Sequence, residues 1–150
     1  MVPANQPERL RLAEWLVDRW HRELGVTVTL SAVPGNLAVS RTKALDYDLA
    51  RGSLVGDYLD PAYFLTCFRA ESGMNRTGWE DVEFTRLLDA ADQASGSARL
   101  ALLAQAETRL LDQGVVIPLF HYACSFLVKP GLRGIRANAL ELVRLADVGR

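Results

Sequence analysis

Three observations on the sequence predict an α/β fold. Runs of apolar and β-branched residues lie between segments whose apolar residues recur at helical spacing. The predicted order of elements is α-β-α-β-α-loop-α-α-β-β, which is typical of helices layered on a sheet. Hydrophobic residues make up 49% of the chain, which is ordinary for a globular protein with a buried core. No linker or repeat interrupts the chain, so we expect residues 1–150 to form a single domain.

The first half of the chain is predicted to alternate helices and strands. Residues 7–25 form a helix, since a proline suits its first turn and a glycine suits its end. Residues 26–33 alternate β-branched and polar side chains, which predicts a strand. We expect a weak helix at residues 37–45 and a second strand at residues 47–56.

The second half is predicted to be mainly helical. Asp60 precedes Pro61 at the start of a short helix and is expected to cap it. Trp79 lies in a loop rich in Gly and Asn, and it either anchors the loop in the core or forms an exposed aromatic wall. The other predicted elements are helices at 82–94 and 98–114, the latter capped by Ser97, strands at 115–122 and 125–130, and a mixed tail at 131–150.

Charge and hydropathy disfavour several classes of function. The formal net charge of −1 argues against general affinity for nucleic acid or anionic membranes. The longest apolar tract, residues 114–128, is too short to cross a membrane and contains Pro118 and His121. The residues after Met1 lack the apolar region of a signal peptide.

Catalytic and metal-binding patterns are weak in this sequence. His121 and Cys124 lie three residues apart on a predicted strand, so their side chains point to opposite faces. Residues 46–52 resemble a calcium loop but place Ala50 where an oxygen ligand is needed. Cys67 and Cys124 are expected to be small buried side chains, with a disulfide between them as the alternative. We therefore predict no enzyme, no metal site and no cofactor.

Asp57 is the candidate binding residue. It follows Gly56 at the carboxyl end of a predicted strand, where ligands bind in open α/β folds. Gly52 and Gly56 remove side chains from that strand, which often marks the close approach of another backbone. The sequence therefore allows two interpretations of Asp57: a carboxylate beside a strand that meets a ligand chain, or a turn residue bonded to its own backbone.

Five segments together resemble the family 5 extracellular solute-binding proteins, which include the oligopeptide- and dipeptide-binding proteins of ABC importers. They are LAEWLVDRWHRELGVTVTL, YDLARGSLVGDYLDPAYFL, NRTGWEDVEFTRLL, AETRLLDQGVVIPLFHY and LVKPGLRGIRANALELVRLAD. The resemblance covers about residues 8–147 and follows the order of the family's C-terminal third. It implies one lobe, with a C-terminal return segment, of a periplasmic-binding-protein type II-like fold.

The resemblance also implies a ligand site. Asp57 stands in the family's G-D-Y-x-D-P segment, whose aspartate binds the α-amino group of a peptide. The strand before it is implied to pair with the peptide backbone. Its residues are Arg51, Gly52, Ser53, Leu54 and Val55. Leu54 departs from the family, since many relatives carry a tryptophan there, and this chain is also about three times shorter than family members.

Partners and location follow from the same resemblance. The expected partners are a peptide or other small solute, the permease subunits of an ABC transporter, and an N-terminal lobe that this chain does not contain. The expected location is periplasmic or extracellular. Two alternatives stay open: a ligand-free structural or vestigial fragment, and a carrier for a non-peptide solute such as a nickel complex or a sugar.

Overall fold

The computed structural model describes residues 1–4, 6–123, 127–136 and 143–149. Its contacts divide the chain into two compact units. The first is Met1–Ser53 with Arg76–Gly78, and the second is Leu54–Asn75 with Trp79–Arg150. That residues 1–150 form a single domain stays a prediction. None of the helices in the described ranges has the length and hydropathy that a membrane crossing requires.

A small parallel sheet organises the first unit. Strand β1 (Val2–Pro3) pairs with strand β2 (Ala32–Val33), and helix α1 (Pro7–Leu24) connects them. Helix α2 (Gly35–Lys43) begins two residues after β2. Val2 and Val33 are buried where these elements meet. A βαβ unit therefore forms at this end of the chain, and a strand of only two residues is enough to begin it.

Helix α1 confirms the prediction for residues 7–25. Gly25 ends it with a left-handed φ of 67°, and its amide donates a hydrogen bond to the carbonyl of His21. Its apolar side chains are incompletely covered, since Trp20 is half-buried and Leu24 is 67% exposed. None of the residues of α1 is fully buried.

The predicted strands are shorter than expected or absent. Of residues 26–33, only the last two form a strand, because β1 offers two residues for pairing. The predicted strand at residues 47–56 is wrong: the chain there forms no strand. The same correction applies to residues 115–122 and to residues 127–130 of the predicted strand at 125–130. β-branched and apolar composition favours extended backbone, but a strand also needs a neighbouring backbone to pair with.

The second unit is built on three helices. They are α3 (Ala62–Thr66), α4 (Val82–Asp92) and α5 (Gly96–Asp112). Phe84 and Leu88 of α4 are 1% exposed and are the largest fully buried side chains of the described residues. The rest of this core is Ala62, Leu65, Leu87, Ala91, Leu103, Ala106 and Leu110. Each of these residues lies on the inward face of its helix, as helical spacing predicts.

The ends of α4 and α5 show how local sequence sets their limits. Asp81 caps α4, and its side chain accepts a hydrogen bond from the amide of Phe84 at 2.7 Å. The cap predicted at Ser97 is wrong, since α5 already begins at Gly96. Gly114 follows α5 with a φ of 66°, which confirms the predicted end.

Trp79 anchors its loop in the core of the second unit, and Cys67 is buried at the end of α3. Trp79 packs against the core, with its ring centroid 4.9 Å from that of Phe84, so the anchoring interpretation of Trp79 is confirmed. Cys67 is buried and carries a free thiol, whereas Cys124 lies outside the described residues. Burial raises the pKa of the Cys67 thiol. A short 3₁₀ helix (Leu145–Asp147) lies near the chain end.

Candidate functional site

Asp57 lies in the second unit, shortly before α3, and its side chain is exposed. The hydroxyl of Tyr63 donates a hydrogen bond to Oδ2 of Asp57 at 3.0 Å. Tyr63 belongs to α3, so the helix determines where this hydroxyl lies. Within the described ranges, no Lys, Arg or His forms an ion pair with Asp57. Among the described residues, the Asp57 carboxylate is therefore contacted by one neutral donor and by no cationic side chain.

Two further aromatic rings pack against the ring of Tyr63. The ring centroid of Tyr63 lies 5.1 Å from that of Tyr58 and 5.6 Å from that of Phe64, and both pairs are edge-to-face. Gly56 allows the chain to approach these rings, since a Cβ atom at this position would lie 3.3 Å from Cζ of Phe64. This arrangement places Asp57 beside an aromatic surface, which is a favourable setting for an ammonium group.

Asp60 lies three residues away and has a different role. Its Oδ1 accepts hydrogen bonds from the amide of Ala62 at 2.8 Å and from Nη2 of Arg99 at 2.9 Å. These hydrogen bonds, the amide of Ala62 first, lower the pKa of Asp60. This confirms that Asp60 caps the start of α3, since its side chain accepts the hydrogen bond from the amide of Ala62. The residue at the N-cap position itself is Pro61. The Asp60 carboxylate is thus bound by a backbone amide and by the Arg99 guanidinium. The Asp57 carboxylate accepts a hydrogen bond from Tyr63 alone among the described residues.

Residues 51–53 belong to the first unit. The amide of Arg51 donates a hydrogen bond to the carbonyl of Met1 at 3.1 Å, and its side chain is half-buried. Gly52 and Ser53 are exposed. Their amides and carbonyls form no hydrogen bond with other described backbone groups. Beyond Arg51, this short segment therefore leaves its backbone to water.

Residues 54–57 belong to the second unit and share this property. Leu54 is 39% exposed and Val55 is 62% exposed. The backbone groups from Leu54 to Asp57 also lack hydrogen bonds to other described backbone groups. Unpaired amides and carbonyls are the groups that an added peptide strand would use. The absence of a strand at residues 51–55 therefore does not remove the candidate site. The backbone from Leu54 to Asp57, which forms no hydrogen bond with other described backbone groups, can still accept a ligand chain.

Tyr63 contacts the candidate residue Asp57 and was not predicted from the sequence. It lies six positions after Asp57, and the contact arises only because α3 begins between them. An available signal was the aromatic density of the segment DYLDPAYF, in which three of eight residues are Tyr or Phe. Aromatic residues at this density beside a carboxylate are a reason to expect a cation site.

Metal-ligating clusters and surface depressions among the described residues do not add to this candidate site. No group of three or more His, Cys, Asp or Glu side chains in the described ranges is arranged to hold a metal ion. A shallow depression of about 460 Å³ lies on α4 and α5, lined in part by Glu83, Thr108 and Arg109. None of the residues predicted to bind ligand lines it.

Comparison with known proteins identifies relatives over almost the whole chain. The chain is 32% identical over 143 residues to the dipeptide-binding protein DppE of Bacillus subtilis, covering 95% of this chain and 26% of that protein. It is 32% identical over 127 residues to the oligopeptide-binding protein OppA of the same organism, covering 83% of this chain and 23% of that protein. No protein-family model matches the chain.

Structure comparison gives the same relationship. The murein tripeptide-binding protein MppA, in an unliganded open form, superimposes with a TM-score of 0.86 at 24% identity. The match covers 98% of this chain and 29% of MppA. The chain thus spans about a quarter of the length of the relatives it matches, in agreement with the C-terminal portion that the motifs indicated. The protein belongs to the family 5 extracellular solute-binding proteins and forms one portion of their type II-like periplasmic-binding-protein fold.

Proposed function

We propose that this chain is the peptide-binding portion of the solute-binding component of an ABC importer. Asp57 binds the α-ammonium group of the ligand, and the backbone of Arg51–Val55 pairs with the ligand backbone. The observation that carries the proposal is Asp57 itself. Its carboxylate is exposed and has no cationic partner among the described residues, and it directly follows residues 52–56, whose backbone forms no hydrogen bond with other described backbone groups.

The chemistry of the segment suits a ligand of variable sequence. Backbone pairing ignores side chains, so it accepts many peptides, while a carboxylate requires a cation at one end. The names of the relatives support a peptide as ligand, since DppE and OppA are called dipeptide- and oligopeptide-binding proteins. The permease subunits of a transporter and a second lobe are the further partners of this proposal. The periplasm or the cell exterior is its proposed location.

Weak affinity is expected for the chain by itself. A ligand held on one side only stays partly in water, and closure of two lobes around it requires the second lobe. We expect dissociation constants no better than about 1 mM for short peptides, equivalent to about −4 kcal/mol. A ligand-free structural fragment and a carrier for a nickel complex or a sugar are the alternatives, and both predict no dependence on a peptide amine.

The test compares trialanine with N-acetyl-trialanine, which lacks the ammonium. Chemical-shift titrations of the isotope-labelled chain at pH 6.5 measure both affinities, since the peptide amine is protonated at this pH. We expect the wild-type chain to prefer trialanine, and Asp57→Asn to reduce that preference by about two- to fivefold, as for an exposed ion pair. Asp112→Asn is the matched control, because Asp112 is also exposed and lacks a described ion pair.

The outcomes separate the candidate functions. Loss of the preference in Asp57→Asn, with the preference retained in Asp112→Asn, supports the proposal. Equal affinity of the wild-type chain for both peptides contradicts a role of Asp57 in binding the amine. Absence of binding by either peptide at tens of millimolar contradicts peptide binding by this chain and favours a structural fragment or another solute.

A further inference from the structure

The Tyr63 side chain is held from several directions. Its hydroxyl donates a hydrogen bond to Oδ2 of Asp57 at 3.0 Å. The ring of Tyr58 meets it at an interplanar angle of 86°, and the ring of Phe64 meets it at 89°. Tyr63 is also half-buried, and its carbonyl accepts a hydrogen bond from Oγ1 of Thr66 at 3.0 Å. The position of the hydroxyl is therefore set by packing within the second unit.

Asp57, in contrast, has little other support. Oδ1 accepts no hydrogen bond from the described residues, and the backbone of Asp57 has no hydrogen bond to other described backbone groups. An exposed aspartate without support samples several rotamers and loses that freedom when it binds a ligand. The hydrogen bond from Tyr63 restricts the carboxylate before any ligand arrives and leaves Oδ1 available.

We propose that Tyr63 is a positioning residue for ligand recognition: its hydroxyl fixes the carboxylate of Asp57 in one rotamer, with Oδ2 occupied and Oδ1 left for the ammonium of the ligand. The inference rests on the proposed function, in which Asp57 binds that ammonium. Preorganisation of this kind raises the affinity for ligands with a free amine and leaves ligands without one unaffected. Tyr63 thus contributes to specificity without needing to touch the ligand.

The test uses Tyr63→Phe, which removes the hydroxyl and keeps the ring. Three-bond couplings from the backbone N and C′ atoms to Cγ of Asp57 report its χ1 rotamer. We expect couplings of one rotamer in the wild-type chain and averaged couplings in Tyr63→Phe. We also expect the preference for trialanine over N-acetyl-trialanine to fall by about twofold, as for the loss of a modest hydrogen bond.

Tyr47→Phe is the matched control. The hydroxyl of Tyr47 donates a hydrogen bond to the carbonyl of Arg76 in the first unit, so the same atom is removed away from Asp57. This variant should keep the Asp57 couplings and the peptide preference of the wild-type chain. A general loss of stability through a missing hydroxyl would affect both variants.

The results distinguish the positioning role from the proposed function. If Tyr63→Phe leaves the Asp57 couplings or the peptide preference unchanged, the positioning role is overturned. The proposed function stays intact in that case, provided that Asp57→Asn still loses the preference. A wild-type chain without any preference that depends on Asp57 overturns the proposed function, and the role of Tyr63 with it. Averaged couplings together with the reduced preference, both absent from Tyr47→Phe, support the inference.

Discussion

Arg109 binds Asp81 with two hydrogen bonds: Nε donates to Oδ1 at 2.6 Å and Nη2 donates to Oδ2 at 2.8 Å. Asp81 is the N-cap of α4, and Arg109 lies in the last turn of α5. The paired geometry joins the start of one helix to the end of the other. The hydrogen bonds from Arg109, followed by that from the amide of Phe84, hold the pKa of Asp81 at about 2.

Acid should remove the stability that this carboxylate provides. An unfolded aspartate titrates near 3.8, so the contribution of Asp81 is fully present above that pH and is lost as the pH falls through about 2. We expect Asp81→Asn, which keeps a capping side chain, to weaken the pH dependence of the free energy of unfolding between pH 4 and pH 2. Urea denaturation followed by circular dichroism measures it. The same pH dependence in Asp81→Asn and wild type would contradict this role.

The core between α4 and α5 should dominate the stability of the second unit. Leu88 is 1% exposed, so Leu88→Ala leaves a cavity and is expected to lower the free energy of unfolding by about 2–5 kcal/mol. Val82 is 88% exposed on the same helix, and Val82→Ala is expected to change the free energy of unfolding by less than about 0.5 kcal/mol. Urea denaturation at pH 7 compares the two. Similar losses in both variants would mean that α4 is not packed as described.

The phenol of Tyr63 should titrate above the usual range for tyrosine. The hydrogen bond to Asp57, together with the negative charge of its carboxylate, favours the protonated phenol and raises its pKa from 10.0. We expect Asp57→Asn to lower the pKa of Tyr63 back towards that value. The Cζ resonance of Tyr63, followed by NMR from pH 8 to 12, measures it in the absence of any ligand. A Tyr63 pKa that is the same in both proteins would show that the hydrogen bond is not formed in solution.

Residues 117–122 should promote self-association. Ile117 is 57% exposed, Leu119 48% and Phe120 53%, and the backbone of residues 117–121 forms no hydrogen bond with other described backbone groups. Exposed apolar residues outside any helix or strand favour contacts between molecules. We expect the mass in light scattering to rise above 16.6 kDa with concentration. Phe120→Ser should reduce the effect, while Val82→Ser serves as a control on a helix.

A constant monomeric mass up to high concentration would show that this segment does not associate. Four apolar residues near the chain end are a second expected source of self-association: Ile135, Leu140, Leu142 and Val143. Ile135 is half-buried and Val143 is 36% exposed. Leu140 and Leu142 lie outside the described residues.

The helices were predictable because their signals are local. Gly25 and Gly114 mark helix ends by a left-handed backbone that other residues avoid, and periodic apolar positions mark the buried faces. Strands depend on a partner that can lie anywhere in the chain. Strand β1 has only two residues, one of them a proline, which is too short to show the alternation of side chains that predicts a strand.

The candidate site likewise combines local features, which the sequence predicts, with contacts between distant residues, which it does not. The neighbouring glycines and a predicted strand end pointed to Asp57, although the structure forms no strand there. Its contact with Tyr63 depends on where α3 begins. The lack of an ion pair with any described cation depends on where the lysines and arginines of distant segments lie. Asp60 illustrates the difference, since its cap contact is local and was predicted, whereas its pairing with Arg99 joins residues 39 positions apart and was not.

The buried thiol of Cys67 makes α3 accessible to chemical measurement. Its Sγ donates a hydrogen bond to the carbonyl of Tyr63 at 3.3 Å, and only the thiolate of a cysteine reacts readily with alkylating reagents. A reagent reaches this sulfur when the α3 turn opens, so the rate of alkylation measures the opening equilibrium of that turn. Because Asp57 is bonded to the same turn through Tyr63, a ligand bound at Asp57 would slow the reaction. Mass spectrometry of the Cys67 peptide would then report ligand occupancy with no label on the ligand.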